Sequence, residues 1–185
     1  MSSVVVRKAE LKDAVAILKI YSYYVENTAI TFECEVLSLN EFRERIQKTL
    51  LKYPYFVLES DGMILGYAYA GAFGKRAAYE WSAEVTVYLD RNQHKRGYGR
   101  KLYEALEQAL KEMGIRNLYA CIAYPNAEDK HLTMNSVLFH EHLGYRRVGT
   151  FQNCGYKFDS WYSMVWMEKI IGGHDSKPSP IRCPL

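Results

Sequence analysis

Apolar and polar residues alternate in parts of this chain, which predicts strands, and elsewhere apolar residues recur at the spacing that predicts helices. The clearest strand is 83–89, where every second residue is apolar and Glu84 is one of the polar residues between them. A helix follows it, because apolar residues recur three or four positions apart until Gly114, a favourable residue for a helix C-terminus. The apolar residues of this helix are Leu102, Leu106, Ala109, Leu110 and Met113.

The same patterns predict elements on either side of this strand and helix. Further strands are expected at 4–6, 55–59, 64–70, 117–123, 145–151 and 163–169. Further helices are expected at 14–25, 38–50 and 135–142. Ser38 and Glu41 match a capping box at the start of the second of these helices, and 60–62 carries the signal of a hairpin turn.

Two internal stretches and the end of the chain lack such a pattern. Residues 124–134 are interpreted as a loop excursion, and residues 154–162 as a long aromatic connector between the last two strands. After Gly172 there is little to bury, so we expect a single domain over 1–172 and a flexible tail over 173–185. The element order predicts an α+β fold with a mixed, mostly antiparallel central sheet flanked by helices.

The loop 91–101, which joins the clearest strand to the clearest helix, is rich in cations and contains Gly97 and Gly99. Backbone N–H groups at a helix start, the positive end of the helix dipole and cationic side chains all favour a phosphate. The two glycines leave room for a phosphate to approach the backbone. The pattern therefore predicts a pyrophosphate cradle.

Two other phosphate-binding loops and an ordinary turn are the alternatives. The dinucleotide fingerprint requires a third glycine where this chain has Leu102, and the G-x-x-x-x-G-K-[ST] pattern of a P-loop does not occur. An ordinary turn with a solvated cationic face would explain the loop alone. The strand before the loop and the helix after it favour the cradle.

Composition narrows the class of protein. The chain has 185 residues, 49% of them apolar and 24% charged, as is usual for a soluble domain with a substantial core. A net charge of +3, with the cations clustered at 91–101, argues against a nucleic-acid partner. The four cysteines have no C-x-x-C spacing and no histidine pair has zinc-site spacing, so we expect no metal. Without a signal peptide or a long apolar run, we expect a cytoplasmic protein that does not enter a membrane.

Three stretches, together with the element order, resemble the phosphinothricin N-acetyltransferase-like family of the GNAT superfamily. They are AYEWSAEVTVY at 78–88, FHEHLGY at 139–145 and GYKF at 155–158, and the resemblance covers roughly residues 4–170. It implies the GNAT fold, acetyl-CoA as cosubstrate, and acetyl transfer to the amino group of a small amino-acid-like substrate. It also implies a homodimer.

The resemblance assigns catalytic roles to residues around the cradle. Glu84 matches the glutamate that acts as general base, and Glu80 is the alternative carboxylate. A backbone N–H near Val87 would stabilise the oxyanion. His140, four residues after Ser136, stands where much of the superfamily has a proton-donating tyrosine. Cysteine nucleophiles lack a base partner, which predicts direct transfer in a ternary complex.

The resemblance also assigns binding roles. The coenzyme-binding residues are Val87, Tyr88, Leu89, Lys95, Arg96, Gly97, Tyr98, Gly99 and Arg100, with Asn126 or Asn135. Arg76 would pair with a substrate carboxylate, and Phe32, Tyr79 and Trp161 would line the apolar part of the pocket. Tyr156 and Lys157 have no defined role, and His131 and His142 are interpreted as surface residues.

The sequence departs from the family pattern in two places. His94 stands three residues before Gly97, where the superfamily usually has glutamine or arginine. The 124–134 excursion is longer than the corresponding turn, which leaves open whether Asn126 or Asn135 contacts the coenzyme. Two other functions also stay open: acetylation of a polyamine, an aminoglycoside or a protein N-terminus, and non-catalytic binding of acyl-CoA. Lys75 and Arg76 favour an anionic substrate over a polyamine.

Overall fold

The computed structural model describes residues 3–174 and 176–182, and its elements follow the predicted order. The strands are β1 (Val4–Lys8), β2 (Tyr55–Ser60), β3 (Met63–Ala72), β4 (Ser82–Leu89), β5 (Asn117–Tyr124), β6 (Arg146–Lys157) and β7 (Ser160–Ile170). The helices are α1 (Ala14–Asn27), α2 (Leu39–Leu50), α3 (Tyr98–Met113) and α4 (Asn135–His142). Short 3-10 turns precede α1 and β4. The predicted α+β class is confirmed.

The chain forms two compact units. The first contains residues 3–20 and 37–118 together with the described residues from 170 onward. The second contains residues 21–36 and 119–169, so it is assembled from two separate stretches of chain. The predicted single domain over 1–172 stays a prediction.

In the first unit, β1 to β4 pair in sequence order, each antiparallel to the next. The β2–β3 turn is tight because Asp61 and Gly62 both have positive φ, 50° and 76°, which suits the twist of a two-residue hairpin. The helix α2 begins with the predicted capping box, since Ser38 and Glu41 each bond the backbone of the other. These local signals explain why the order of this unit could be predicted.

The β4–loop–α3 segment of the first unit has the predicted core pattern. On β4, Ala83 and Val85 are buried, and Glu84 points to the opposite face. The helix α3 buries its apolar stripe and ends at Gly114, whose φ of 98° is the left-handed conformation of a helix C-cap. The fully buried members of that stripe are Leu102, Leu106 and Leu110.

In the second unit, the predicted connector over 154–162 is wrong. The strand β6 continues to Lys157 and pairs antiparallel with β7, which begins at Ser160. The turn uses Phe158 and Asp159 with φ of 51° and 56°, so no glycine or proline marks it in the sequence. The pairing is also irregular between Phe151 and Gly155, which breaks the alternation that would have predicted a strand.

Residues of the predicted tail contact other parts of the first unit. Trp81 Nε1 donates to the backbone oxygen of Ser179 at 2.9 Å, and the backbone N–H of Arg182 donates to Met113 O at 3.0 Å. His174 Nε2 lies 2.7 Å from Asn117 Oδ1. The flexibility of the tail stays a prediction.

Residues 3–174 and 176–182 contain neither a membrane-spanning helix nor a cluster of metal-ligating side chains. None of the helices there has both the length and the apolar character needed to cross a membrane. Nor do these residues bring together three or more histidine, cysteine, aspartate or glutamate side chains in a group able to hold a metal ion.

Candidate functional site

The start of α3 has the features of an anion cradle. Gly97 is the N-cap residue with φ of 75°, a left-handed conformation that favours glycine, and it offers no side chain to cap the first turn. A Cβ atom added at Gly97 would meet no heavy atom within 4 Å. The space beside Gly97 at the start of α3 is therefore open, as anion binding at a helix N-terminus requires.

The loop before Gly97 is shaped by a turn at Asp90. Asp90 Oδ1 accepts from the backbone N–H of Asn92, and Asp90 O accepts from that of Gln93, both at 2.8 Å. Lys95 takes a positive φ of 61°. The predicted cationic binding residues are exposed beside the helix start, namely Lys95, Arg96 and Arg100. Gln93 Oε1 is buried with no hydrogen-bond partner among the described residues, so the loop also contains an unused acceptor.

The end of β4 leads directly into this cradle. Val87, Tyr88 and Leu89 are half-buried and lie opposite Ala68, Tyr67 and Gly66 of β3. A Cβ atom at Gly66 would overlap the Leu89 side chain, so the close approach of the two strands requires glycine there. The predicted coenzyme-binding residues 87–89 and 95–100 thus belong to one continuous strand–loop–helix segment.

Glu84 lies on the same strand, five residues before it ends. Its carboxylate is half-buried, and burial raises the pKa of this group above its ordinary value. The strand residue opposite it is Gly71, where an added Cβ would meet nothing within 4 Å, so the space beside the carboxylate is open. Glu80, the alternative base, is exposed and precedes the start of β4. The geometry favours Glu84.

Two predicted substrate residues lie just before β4. Arg76 is exposed and is the N-cap of the short 3-10 turn Ala77–Tyr79. The Tyr79 ring packs edge-on against Phe73, with 5.5 Å between ring centroids. A side chain at Gly74 would overlap the Tyr79 ring. Tyr79 is therefore held on one side, while the Arg76 guanidinium is exposed.

In the second unit, His140 is buried on α4. Its Nδ1 lies 2.7 Å from the backbone oxygen of Ser136, and since a carbonyl can only accept, Nδ1 carries the hydrogen. Burial lowers the pKa of His140 to about 4. The ring is therefore neutral at pH 7, with its N–H committed to the backbone. A proton-donating role would require this bond to break, and that role stays a prediction.

The two candidate asparagines differ in their surroundings. Asn126 is engaged at both ends of its amide: Nδ2 donates to Asn153 Oδ1 at 2.6 Å, and Oδ1 accepts from Ser163 Oγ at 2.8 Å. Asn135 is exposed and is the first residue of α4. To contact the coenzyme, Asn126 would have to give up these hydrogen bonds, and a coenzyme contact by either asparagine stays a prediction.

Phe32 and Lys157 are linked through the residues that follow α1. Phe32 is half-buried against Gly155, where a Cβ atom would overlap its ring. Lys157 is 6% exposed, and its Nζ donates to the backbone oxygens of Thr28 and Thr31, each at 2.9 Å. The sequence provides no signal for these two hydrogen bonds, because lysine side chains are mostly solvent-exposed.

One histidine interpretation is wrong. His131 is half-buried and stacks on the Phe158 ring with 3.9 Å between centroids, and its Nδ1 lies 3.0 Å from Asn27 O. The sequence marks 124–134 only as a loop excursion, and nothing local to His131 indicates its contacts with Phe158 and Asn27. His142 is exposed, as predicted.

Known proteins resemble this chain over almost its whole length. The acetyltransferase (GNAT) domain model matches residues 6–166. Phosphinothricin N-acetyltransferase of Streptomyces viridochromogenes is 31% identical, with 96% of this chain and 92% of the relative covered. An L-methionine sulfoximine/L-methionine sulfone acetyltransferase of Salmonella typhimurium is 27% identical, with 91% and 95% covered. A crystal structure of a phosphinothricin acetyltransferase from Sinorhizobium meliloti in complex with AcCoA superposes with a TM-score of 0.86 at 29% identity, covering 95% of this chain and 93% of that one.

Proposed function

This chain belongs to the GNAT acetyltransferase family and is an acetyl-CoA-dependent N-acetyltransferase, and we propose that its acceptor is a small amino-acid-like amine such as phosphinothricin or methionine sulfoximine. The names of its relatives support this acceptor class. The observation that carries the proposal is the half-buried Glu84 carboxylate, which lies beside open space at Gly71 on the strand that leads into the anion cradle.

The proposed reaction is direct transfer in a ternary complex. Glu84, directly or through a water molecule, takes a proton from the acceptor ammonium, because only the neutral amine is a nucleophile. The amine nitrogen attacks the thioester carbonyl, so a C–N bond forms while the C–S bond breaks and the electron pair leaves on sulfur. A backbone N–H near Val87 would stabilise the oxyanion in between. A proton finally reaches the thiolate, so the products are the amide and free coenzyme A.

The first-unit cradle supports acetyl-CoA as the donor substrate. A pyrophosphate needs N–H donors, cations and room near the backbone, and the start of α3 offers all three. The carboxylate of the proposed acceptor needs a cation, and Lys75 and Arg76 are exposed before β4. A polyamine would need the opposite charge there.

A thiol-release assay tests the acceptor class. We expect coenzyme A release from acetyl-CoA to depend on added phosphinothricin, methionine sulfoximine or a related amino acid. Control reactions contain a polyamine, an aminoglycoside or a peptide with a free N-terminus. Turnover with one of these and with no amino acid would replace the proposed acceptor. Tight acetyl-CoA binding without turnover on any amine would favour a non-catalytic acyl-CoA-binding protein. The cytoplasmic location stays a prediction.

We further propose that the chain forms a homodimer through β6. In the second unit, β6 is the last strand in the order β5-β7-β6, and nearly all of its residues are exposed. Exposed strands at the end of a sheet readily pair with another chain. Large apolar side chains on this hairpin are also exposed, namely Val148, Phe151, Tyr156 and Trp161.

Replacing Phe151 by glutamate is expected to convert the dimer to a monomer, because it places a charge on an apolar surface that the partner would cover. Light scattering after size exclusion should give twice the 21.5 kDa chain mass for the wild type and the single mass for Phe151→Glu. The matched control is Leu51→Glu, which changes an exposed leucine in the first unit and should leave the mass unchanged. A wild-type protein of 21.5 kDa would contradict the proposed dimer.

A further inference from the structure

The β3–β4 loop, residues 73–81 of the first unit, follows the strand pair that carries Glu84. Glu84 lies opposite Gly71, and a single further residue pair separates these two from the loop. Arg76, the proposed partner of the acceptor carboxylate, is the N-cap of the short 3-10 turn in this loop. The conformation of the loop therefore decides where the Arg76 guanidinium lies relative to the Glu84 carboxylate.

Trp81 is the last residue of the loop, and its backbone is bonded to parts of the chain that are distant in sequence. Its carbonyl oxygen accepts from the N–H groups of Arg116 and Asn117, at 2.9 and 3.2 Å, where β5 begins. The carbonyl oxygen of Arg116 in turn accepts from the N–H groups of Ile171 and Gly172, at 2.8 and 3.3 Å. The end of the loop is thus linked to the chain that follows β7.

The strap, defined as residues 176–182, contacts both the side chain of Trp81 and the end of α3. The indole Nε1 of Trp81 donates to the backbone oxygen of Ser179 at 2.9 Å, which satisfies the one polar group of the ring. The N–H of Arg182 donates to the backbone oxygen of Met113, the last residue of α3, at 3.0 Å. Carbonyl groups at a helix C-terminus lack partners within the helix, so this bond caps α3.

Two prolines restrict the backbone of the strap. Pro178 and Pro180 flank Ser179, whose carbonyl is the acceptor for the Trp81 indole. A proline ring fixes φ, and a residue before proline is restricted to extended conformations. The free strap therefore has fewer conformations to lose when it binds, and this lower entropy cost favours its binding through a small number of contacts.

We propose that the strap and Trp81 position the β3–β4 loop, so that the loop presents Arg76 to the acceptor substrate. This inference rests on the proposed function, in which Arg76 pairs with the acceptor carboxylate. Trp81 is a positioning residue, because it acts through the loop and touches no reacting atom. Loss of its contact with the strap weakens acceptor binding and leaves coenzyme binding intact, since the cradle at Gly97 lies at the other end of α3.

Replacing Trp81 by phenylalanine removes the indole N–H and keeps an aromatic ring. We expect the KM for the acceptor to rise about fivefold, with kcat changed less than about twofold and the dissociation constant of acetyl-CoA unchanged, because a loop that is less well held positions the acceptor less well. The matched control is Lys177→Met, which changes an exposed side chain of the strap and should leave the acceptor KM unchanged.

The backbone N–H of Arg182 provides a second, independent variant. Arg182→Pro removes this donor to Met113, whereas its matched control Arg182→Ala keeps it. We expect Arg182→Pro to raise the acceptor KM and Arg182→Ala to match the wild type. Arg182 is exposed, so Arg182→Pro keeps the proposal testable should Trp81→Phe fail to fold.

A double-mutant cycle tests whether both variants act through the strap. Combining Arg182→Pro with Trp81→Phe should raise the acceptor KM no further than the larger of the two single effects, since both release the same strap. Fully additive changes in log KM would overturn the proposal, as would an unchanged acceptor KM in both single variants.

Backbone hydrogen exchange separates this inference from the proposed function. Exchange over 73–81 should be faster in Trp81→Phe and Arg182→Pro than in the wild type and the two controls, whatever the acceptor is. If the wild-type enzyme acetylates none of the amino acids, the proposed acceptor is wrong, and the exchange rates still decide whether the strap holds the loop. Unchanged exchange over 73–81 would overturn that role, as would a wild-type Arg182 N–H that exchanges as fast as in an unfolded chain.

Discussion

Replacing Glu84 by glutamine is expected to lower kcat by about 10²- to 10⁴-fold, the range that a general base contributes, while acetyl-CoA still binds. The amide keeps the shape of the side chain but cannot accept the ammonium proton. Stopped assays with the amino-acid acceptor give kcat, and calorimetric titration gives the acetyl-CoA dissociation constant. Near-normal turnover at pH 7 would show that another group is the base.

Two controls separate this loss from a loss of stability. Burial raises the pKa of Glu84 in the folded state, so its contribution to stability is present at low pH and lost as pH rises through that raised pKa. At pH 7 the half-buried negative charge therefore destabilises the folded state, so the melting temperature of Glu84→Gln should be no lower than that of the wild type. Glu80→Gln changes an exposed carboxylate close in sequence and should keep its activity.

The same raised pKa predicts the pH dependence of the reaction. The base must be ionised, so kcat/KM should fall as pH drops through the raised pKa of Glu84. In Glu84→Gln this acidic limb should disappear. His140 adds no second limb near neutrality, because its pKa of about 4 keeps it neutral over the assay range.

Replacing Gly97 by valine is expected to raise the acetyl-CoA dissociation constant by at least about tenfold. The valine side chain would occupy the space in front of the first helical turn that the pyrophosphate needs. It would also strain a backbone with φ of 75°. Calorimetric titration with acetyl-CoA, and separately with coenzyme A, measures the effect.

Gly62→Val is the matched control for this substitution. Gly62 has φ of 76°, and a Cβ there also meets nothing within 4 Å, but it lies in the β2–β3 turn. Backbone strain should lower the melting temperatures of both variants by similar amounts, and only Gly97→Val should bind acetyl-CoA more weakly. An equal affinity in Gly97→Val and the wild type would overturn the cradle.

Local signals predicted the part of the site that lies on one continuous segment. Three features depend only on neighbouring residues and can therefore be recognised in the sequence. They are the strand alternation around Glu84, the glycines at 97 and 99, and the helix cap at Gly114. The β6–β7 hairpin is not predicted because its turn, at Phe158 and Asp159, contains neither glycine nor proline, and one aspartate beside a phenylalanine is a weak turn signal.

The part that could not be predicted depends on contacts between distant residues. Lys157 follows Thr28 by 129 positions, and nothing local to either residue indicates a hydrogen bond between them. The interpretation of His131 as a surface residue fails for the same reason, since its hydrogen-bond partner is the distant carbonyl of Asn27. For His140, the sequence indicated a titrating group, but burial on α4 lowers its pKa. Burial is a tertiary property.

The second unit is assembled from two separate stretches of chain, which matters for chimeras made with related enzymes. Its two stretches, 21–36 and 119–169, are separated by most of the first unit. A chimera with one crossover inside 37–118 would combine Thr28 and Phe32 from one parent with Gly155 and Lys157 from the other. Exchanging both stretches together takes four crossovers and keeps these partners matched, so such a chimera is expected to preserve the packing of the second unit.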